Sequence, residues 1–169
     1  MRPDVYWVRE IAPLRLAIAP RPRTAESLAE ELENWRHDGV DIVVSLLEPH
    51  EARDLDLADE ERCCVAHGLR YVAFPIADRG LPARREAVLE LADALVADLR
   101  DGRGVAVHCR AGIGRSGLIA ACVLTRLGHT PAAAFAMLAR ARGILVPDTD
   151  AQSQWVAAFH RAGSNPQQP

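Results

Sequence analysis

The sequence predicts an α/β fold in which helices cover both faces of a mainly parallel central sheet of about five strands. Two observations lead to this prediction. Short apolar runs alternate with longer helical segments along the chain, which is the pattern of successive βαβ units. Residues 41–47 form a largely apolar run, as expected for a parallel strand that is buried on both faces.

Strand and helix signals alternate through the first half of the chain. Thr24 is a suitable N-cap for a helix that extends to about residue 37. Leu28, Leu32 and Trp35 share one face of that helix. The other predicted elements of this half are strands at residues 5–8, 14–18, 41–47 and 69–74, and an acidic, weakly helical segment at residues 56–67.

The second half of the chain is dominated by helices. Residues 75–82 are predicted to form a loop, and Pro82 suits the first turn of a helix that extends to about residue 100. At 169 residues the chain is expected to form a single domain over residues 1–162, with a disordered tail at 163–169. The further elements predicted are a strand at residues 105–108 and helices at 116–127, 130–142 and 148–160.

Composition argues against several classes of function. The net charge of −3 gives no bulk attraction to nucleic acid or to an anionic membrane. No apolar run approaches the length of a membrane span, and charges interrupt the N-terminal segment where a signal peptide would be apolar. All 20 basic residues are arginine, which favours a bacterial chain from a GC-rich genome.

The cysteines do not form a recognisable framework. Their spacing is neither that of a disulfide-rich domain nor that of a zinc site. We therefore expect a reduced, cytoplasmic protein without a metal or another cofactor. Three of the cysteines are interpreted as inert thiols, namely Cys63, Cys64 and Cys122.

The stretch VAVHCRAGIGRSG at residues 105–117 combines a strand, a glycine-rich loop and the start of a helix. The glycines allow successive N–H groups to converge on one anion, and the helix start adds the positive end of its dipole. Arg115 supplies a planar fork that can bind two oxygens of a phosphate. The phosphate-binding residues predicted here are Arg110, Ala111, Gly112, Ile113, Gly114 and Arg115.

Cys109 lies at the bottom of this predicted phosphate site. The surrounding N–H groups and Arg115 favour its thiolate form, which is then a nucleophile aimed at phosphorus. Ser116 is expected to donate a hydrogen bond to the sulfur as it leaves, and His108 to order the loop. A cysteine placed there by chance is the alternative, whereas a Walker A nucleotide loop is excluded because the chain has no lysine.

The pattern His-Cys-x5-Arg-Ser at residues 108–116, called the signature loop below, resembles that of the cysteine-based protein tyrosine phosphatases. The chain length resembles the dual-specificity branch. The sequence Pro-Ile-Ala-Asp at residues 75–78 is most similar to the cyclin-dependent-kinase-inhibitor-associated type. The resemblance extends over roughly residues 5–160 and implies the corresponding phosphatase fold.

The resemblance implies roles for two residues outside the signature loop. Asp78 would protonate the leaving group and then deprotonate the hydrolytic water; a loop-capping aspartate is the alternative. Gln152, just after the helix cap Thr149, would position that water; a solvent-facing glutamine is the alternative. Arg140 and Arg142 lie in a stretch that resembles one in the family, where they would support the loop, meet acidic substrate residues or be ordinary surface arginines.

Together these features predict a phosphomonoester hydrolase that works through a phosphocysteine intermediate and needs no metal. The expected substrate is a phosphoprotein, with phosphotyrosine first. A phosphoinositide or another non-protein phosphomonoester is an alternative, although Arg110 is the one basic residue among the variable positions of the loop. A phosphate-binding pseudoenzyme and a rhodanese-type sulfurtransferase also stay open, but the complete signature and Asp78 disfavour both.

Overall fold

A five-stranded sheet forms the centre of the molecule. The computed structural model describes residues 3–24 and 27–164. The strands are β1 (Tyr6–Trp7), β2 (Arg15–Ala19), β3 (Ile42–Ser45), β4 (Arg70–Ala73) and β5 (Gly104–His108). Their order is β1-β2-β5-β3-β4, in which β1 pairs antiparallel with β2 and every other pairing is parallel.

Helices cover both faces of this sheet, as the sequence predicts. Helices α1 and α3 pack on one face, whereas α4, α6 and α7 surround α5 on the other. The helices are α1 (Leu28–His37), α2 (Pro49–Asp54), α3 (Glu60–Ala66), α4 (Arg85–Arg100), α5 (Arg115–Arg126), α6 (Pro131–Arg142) and α7 (Asp150–Ser164), with a short 3-10 helix at Arg9–Ile11.

The central strand and the helix that follows it fix the position of the signature loop. Strand β5 is buried along its whole length, with Val105 and Val107 on the α5 side and the smaller Ala106 facing α1 and α3. Every residue of α5 from Arg115 to Thr125 is also buried. Removing one of its large apolar side chains costs about 2–5 kcal/mol of folding free energy, so this helix is held in place by packing on several sides.

Several element boundaries differ from the sequence prediction. Helix α1 is capped by Ser27, whose Oγ accepts the N–H of Glu30 at 3.3 Å, so the prediction of Thr24 as the cap was wrong. Helix α4 begins at Arg85 because Arg84 is still extended, with φ of −135°. Helix α2 was missed within a segment rich in charge. Helix α7 continues to Ser164, so residues 163 and 164, predicted to belong to a disordered tail, are helical; the rest of that predicted tail, residues 165–169, lies outside the described residues.

Candidate active site

Three connections that leave the carboxyl ends of neighbouring parallel strands meet at one edge of the sheet. Main-chain pairing continues beyond the strands: Leu46 donates its N–H to His108 O at 3.0 Å, and Ile76 donates its N–H to Leu46 O at 3.0 Å. These bonds bring the segments after β3 and β4 next to the signature loop after β5. The predicted nucleophile, arginine and acid therefore lie together, although they are far apart in the sequence.

The signature loop packs closely against the segment that follows β2. Gly112 has φ of +72°, a conformation that favours glycine. A Cβ at this position would overlap the main chain of Ala19. The N–H of Arg21 also donates to Arg110 O at 3.2 Å. Gly112 is therefore needed for both the turn and the close packing of the loop.

Cys109 lies at the N-terminal end of α5. Its side chain is buried, and its Sγ is 3.4 Å from Ser116 Oγ. Gly114 precedes the helix and supplies no capping side chain, so the first N–H groups of α5 have no side-chain cap. The N–H groups at this end of the helix and the helix dipole make it suitable for an anion beside the sulfur.

The guanidinium of Arg115 joins the three connections. Glu51, in α2, binds it with both carboxylate oxygens, at 2.9 Å to Nη1 and 3.2 Å to Nη2. Nη1 also donates to Ile76 O at 2.9 Å, and Nη2 donates to Asp78 Oδ1 at 3.1 Å. The side chain is only 2% exposed, so these contacts hold it almost entirely within the protein.

The contacts of Arg115 fix its charge. Burial alone lowers the pKa of this guanidinium, but the hydrogen bonds that it donates to Glu51 and the attraction of Cys109, Glu51 and Asp78 more than compensate. The net effect raises the pKa of Arg115 above its ordinary value. Arg115 is therefore a permanent cation beside the sulfur, as phosphate binding requires.

Asp78 lies on the segment after β4, called the acid loop here (residues 75–82). The loop turns sharply, since the N–H of Gly80 donates to Ala77 O at 2.7 Å. Arg79 in the same turn has φ of +57°. The Asp78 side chain is 52% exposed while its Oδ1 contacts Arg115, so the carboxylate lies between the buried site and solvent.

Gln152 is fully buried in the first turn of α7, which excludes the solvent-facing alternative. Its Oε1 accepts the N–H groups of Asp148 and Thr149 at 3.1 and 3.3 Å, and its Nε2 donates to Gly80 O at 3.4 Å. Thr149 caps the helix as predicted, accepting the N–H of Gln152 at 3.1 Å. A Cβ at Gly114 would lie 3.0 Å from Gln152 Nε2. The amide therefore connects the acid loop to the flank of the signature loop.

Comparison with known proteins identifies the family. The family model described as "Polymorphic toxin system, DSP-PTPase phosphatase" matches residues 17–129, a span that includes Asp78, Cys109 and Arg115. The chain belongs to this family. The expectation of a cysteine-based protein tyrosine phosphatase or dual-specificity fold is thus confirmed at the level of the superfamily.

Individual relatives agree with this assignment of the DSP-PTPase phosphatase. "Putative tyrosine phosphatase 067L" of Invertebrate iridescent virus 3 is 40% identical over 76 residues, which are 42% of this chain and 32% of that protein. The matched part thus spans about a third of that relative's length. The structure of kinase associated phosphatase with its catalytic site cysteine substituted by serine superposes with a TM-score of 0.85 at 20% identity, covering 98% of this chain and 99% of that chain. The structure of PTPMT1 in complex with PI(5)P superposes with a TM-score of 0.75 at 18% identity, covering 94% of this chain and 96% of that chain.

Two acidic residues of this DSP-PTPase phosphatase could not be found from the sequence. Glu51 is the partner of Arg115. Glu60, at the start of α3, places its Oε1 2.6 Å from Nε2 of the buried His108. Nδ1 of His108 lies 3.2 Å from Cys109 O, in agreement with the expected ordering role of the histidine. Both glutamates occur in charged, mostly exposed segments, so their sequence context carries no signal of burial.

The remaining cysteines of the phosphatase stay outside the candidate site. Cys64 and Cys122 are buried, Cys63 is partly buried, and all are free thiols. Burial raises the pKa of Cys64 and of Cys122 well above the ordinary thiol value, with Glu60 adding a smaller contribution at Cys64. These two side chains therefore stay as neutral thiols, consistent with the interpretation of inert cysteines.

The two arginines at the end of α6 have different surroundings. Arg140 forms an exposed ion pair with Glu10 at 2.7 Å, as an ordinary surface arginine does. Arg142 donates from Nη2 to Ala111 O at 3.2 Å and lies over the ring of Tyr6, 4.5 Å from its centroid. Arg142 therefore contacts the signature loop of the DSP-PTPase phosphatase from outside.

The described part of this phosphatase gives two further findings. Residues 3–24 and 27–164 contain no group of three or more His, Cys, Asp or Glu side chains placed to hold a metal ion. Over the same residues, no helix is both long and apolar enough to cross a membrane.

Proposed function

We propose that this chain hydrolyses phosphomonoesters through a covalent phosphocysteine intermediate on Cys109. The observation that supports this most strongly is the meeting of three groups at one sheet edge. Cys109 is buried there beside the guanidinium of Arg115, and Asp78 contacts that guanidinium at 3.1 Å. A nucleophile, a fixed cation and a proton donor supply what phosphoryl transfer to cysteine needs.

In the first step, the Cys109 thiolate attacks the phosphorus of the bound ester. An S–P bond forms while the bond between phosphorus and the leaving oxygen breaks. Arg115 and the N–H groups of residues 110–114 stabilise the charge on the equatorial oxygens. Asp78, in its carboxylic acid form, gives its proton to the leaving oxygen, so that a neutral alcohol or phenol departs.

In the second step, water attacks the phosphorus of the phosphocysteine. The ionised Asp78 takes a proton from this water as the new P–O bond forms and the S–P bond breaks. Ser116, whose Oγ is 3.4 Å from Sγ, donates a hydrogen bond to the departing thiolate. Inorganic phosphate leaves, and the thiolate and the acid are restored for the next turnover.

Two further side chains are proposed to support this chemistry without taking part in it. Glu51 binds both terminal nitrogens of Arg115, and a bidentate carboxylate of this kind fixes the plane of the guanidinium. Gln152 bonds the acid loop through Gly80 O, which keeps that loop close to the signature loop. Both residues thus keep Arg115 and the acid loop in the positions in which a bound phosphate lies close to both the Cys109 sulfur and the Asp78 carboxyl group.

The substrate we propose is a phosphoprotein, with phosphotyrosine first. The name of the viral relative as a tyrosine phosphatase supports this choice. The match to kinase associated phosphatase over nearly the whole chain supports the cyclin-dependent-kinase-inhibitor-associated type as the most similar branch. We further propose one phosphatase domain that includes the whole of α7, to Ser164, in a bacterial cytoplasm, in keeping with four free cysteines and basic residues that are all arginine.

A phosphoinositide is the second candidate substrate. The similar fold of PTPMT1 in complex with PI(5)P supports it, as does the exposed Arg110 beside the signature-loop cysteine. A phosphate-binding pseudoenzyme is disfavoured because Cys109, Arg115 and Asp78 are all present and lie together.

A substrate panel tests the proposed function directly. Release of inorganic phosphate is measured from phosphotyrosine peptides, from phosphoserine and phosphothreonine peptides, and from phosphoinositides in mixed micelles. We expect the highest kcat/KM with phosphotyrosine, and no release by Cys109→Ser. Preference for phosphoinositides would replace the protein substrate by the lipid one. Equal release by Cys109→Ser would reject the mechanism, and sulfur transfer from thiosulfate without phosphate release would reject the activity.

A further inference from the structure

Glu60 and His108 form a buried pair behind the signature loop. Both side chains are at most 1% exposed, and Nε2 of His108 lies 2.6 Å from Glu60 Oε1. The other carboxyl oxygen, Oε2, has no hydrogen-bond partner within residues 3–24 and 27–164. Burying a carboxyl group with one oxygen unpaired costs folding free energy. Its position is therefore better explained by what it does to His108 than by a gain in stability.

The hydrogen bonds of His108 determine how many protons the pair carries. Nδ1 lies 3.2 Å from Cys109 O, and since a carbonyl oxygen only accepts, Nδ1 must carry a proton. At 2.6 Å, Nε2 and Glu60 Oε1 must also share one proton, because two lone pairs would repel each other. Both ring nitrogens of His108 thus lie within hydrogen-bond distance of oxygens that accept, namely Cys109 O and a carboxylate oxygen of Glu60. This arrangement is that of an imidazolium paired with a carboxylate.

The positive member of the pair, His108, is the one that lies next to Cys109. The imidazolium end bonds the main chain of Cys109, whereas the carboxylate lies on the far side of the ring. A positive charge on the neighbouring side chain favours a thiolate at Cys109. The bond to Cys109 O also fixes the peptide at the start of the loop whose N–H groups would bind phosphate.

We propose that Glu60 is a positioning residue that keeps His108 protonated on both ring nitrogens and thereby favours the Cys109 thiolate. This inference rests on the proposed function. Glu60 touches neither sulfur nor substrate and acts through the ring of His108.

Groups around the pair do not compete for its proton. The ring of Trp35 meets the His108 ring edge-on at 6.0 Å, and its Nε1 donates to Glu31 instead. Cys64, one turn further along α3, stays a neutral thiol because burial raises its pKa. Burial, together with Glu60, raises the pKa of Tyr71 in β4 to about 12. Neither Cys64 nor Tyr71 therefore gains or loses a proton between pH 5 and 8 in response to the pair.

The direct test is ¹⁵N NMR of the His108 ring in the intact protein at pH 7. We expect both ring nitrogens to be protonated in the wild type, and only Nδ1 in Glu60→Gln, whose amide can donate to Nε2 and preserve the shape. We also expect alkylation of Cys109 by iodoacetamide at pH 6, followed by peptide mapping, to slow about three- to tenfold in Glu60→Gln. The loss of kcat/KM should be larger at pH 5.5 than at pH 8.

Glu61→Gln is the matched control, since Glu61 is the next residue and is exposed. It should alkylate at the wild-type rate. Glu60→Leu, which replaces the buried carboxyl group by an apolar side chain of similar size, gives the same test if Glu60→Gln does not fold. A neutral His108 ring in the wild type would overturn the proposal, as would unchanged alkylation in a folded Glu60 variant. The NMR and alkylation measurements do not require turnover, so loss of the proposed phosphatase mechanism would be seen separately, in Cys109→Ser.

Discussion

Asp78 and Arg115 are joined by an ion pair of 3.1 Å between Oδ1 and Nη2. The arginine is almost fully buried, whereas half of the aspartate side chain is exposed, so the pair spans the boundary between the site and solvent. A phosphate that reaches Nη2 must replace the Asp78 carboxylate there. In the proposed mechanism, substrate binding would thus release Asp78 from Arg115 before Asp78 donates its proton.

Cys109→Ser should abolish turnover, because a hydroxyl is a far weaker nucleophile than a thiolate. We expect kcat to fall by about 10⁴-fold or more, while phosphate binding, measured by isothermal titration calorimetry, persists. Cys63→Ser is the control, since Cys63 is also a free cysteine but lies outside the site. If the two variants lost activity equally, Cys109 would not be the nucleophile.

Asp78→Ala should slow hydrolysis by about 10²- to 10⁴-fold for alkyl phosphates. The loss should be much smaller for aryl phosphates whose leaving group departs without a proton. This difference between substrates is measured from a plot of log kcat against leaving-group pKa. The plot should be steeper for the variant than for the wild type. Asp101→Ala, at an exposed helix end, should behave as wild type. An unchanged slope for Asp78→Ala would place the acid on another residue.

Glu51→Gln should weaken phosphate binding, because one carboxylate holds both terminal nitrogens of Arg115. We expect KM to rise and the free energy of unfolding to fall by about 1–3 kcal/mol, measured by urea denaturation. Glu90→Gln, on the exposed side of α4, is the control for a lost negative charge. A wild-type KM in Glu51→Gln would show that Arg115 is positioned without it.

Thiol reactivity should distinguish Cys109 from the buried cysteines. Burial raises the pKa of Cys64 and Cys122, so the reactive thiolate form becomes scarcer at any given pH, and alkylation at pH 7 should be slow at both. We expect iodoacetamide to modify Cys109 first, with phosphate giving protection, and mild peroxide to inactivate reversibly at the same residue. Mass spectrometric mapping with time measures the order. Faster labelling of Cys64 or Cys122 would contradict it.

Gln152→Ala should loosen the acid loop, since the amide connects Gly80 O to the N–H groups of Asp148 and Thr149. We expect kcat to fall about tenfold for poor leaving groups and less for good ones, in the direction of the Asp78 variant. Gln154→Ala, on the exposed side of the same helix, removes an equal side chain as the control. Equal effects of the two substitutions would mean that the contact between Gln152 and Gly80 O has no part in turnover.

The sequence predicted the candidate site best where the residues that would carry the chemistry are close together in the chain. The signature loop could be predicted because its glycines, arginine and cysteine are adjacent in the chain, and the structure places Cys109 beside Ser116 as that pattern implies. The central sheet could be predicted because the apolar run that contains β3 strongly favours a buried strand.

The missed residues depend on packing between distant segments. Glu51 and Glu60 are buried because the connections after β3 and the start of α3 fold over the signature loop. Nothing in their local sequence distinguishes them from the exposed Glu61. The cap Ser27 was missed because both Thr24 and Ser27 suit a helix start, and only the folded chain determines which one serves.

The network around Arg115 has an evolutionary consequence. One guanidinium bonds Glu51 from the β3 connection and both Ile76 and Asp78 from the β4 connection, so it ties separate segments of the sheet edge to α5. A drifting lineage that replaced this arginine would lose the attachment of these segments together with the anion site. Selection for a persistent fold would therefore retain the arginine even in descendants that no longer needed catalysis, and its presence alone would be a poor marker of activity among them.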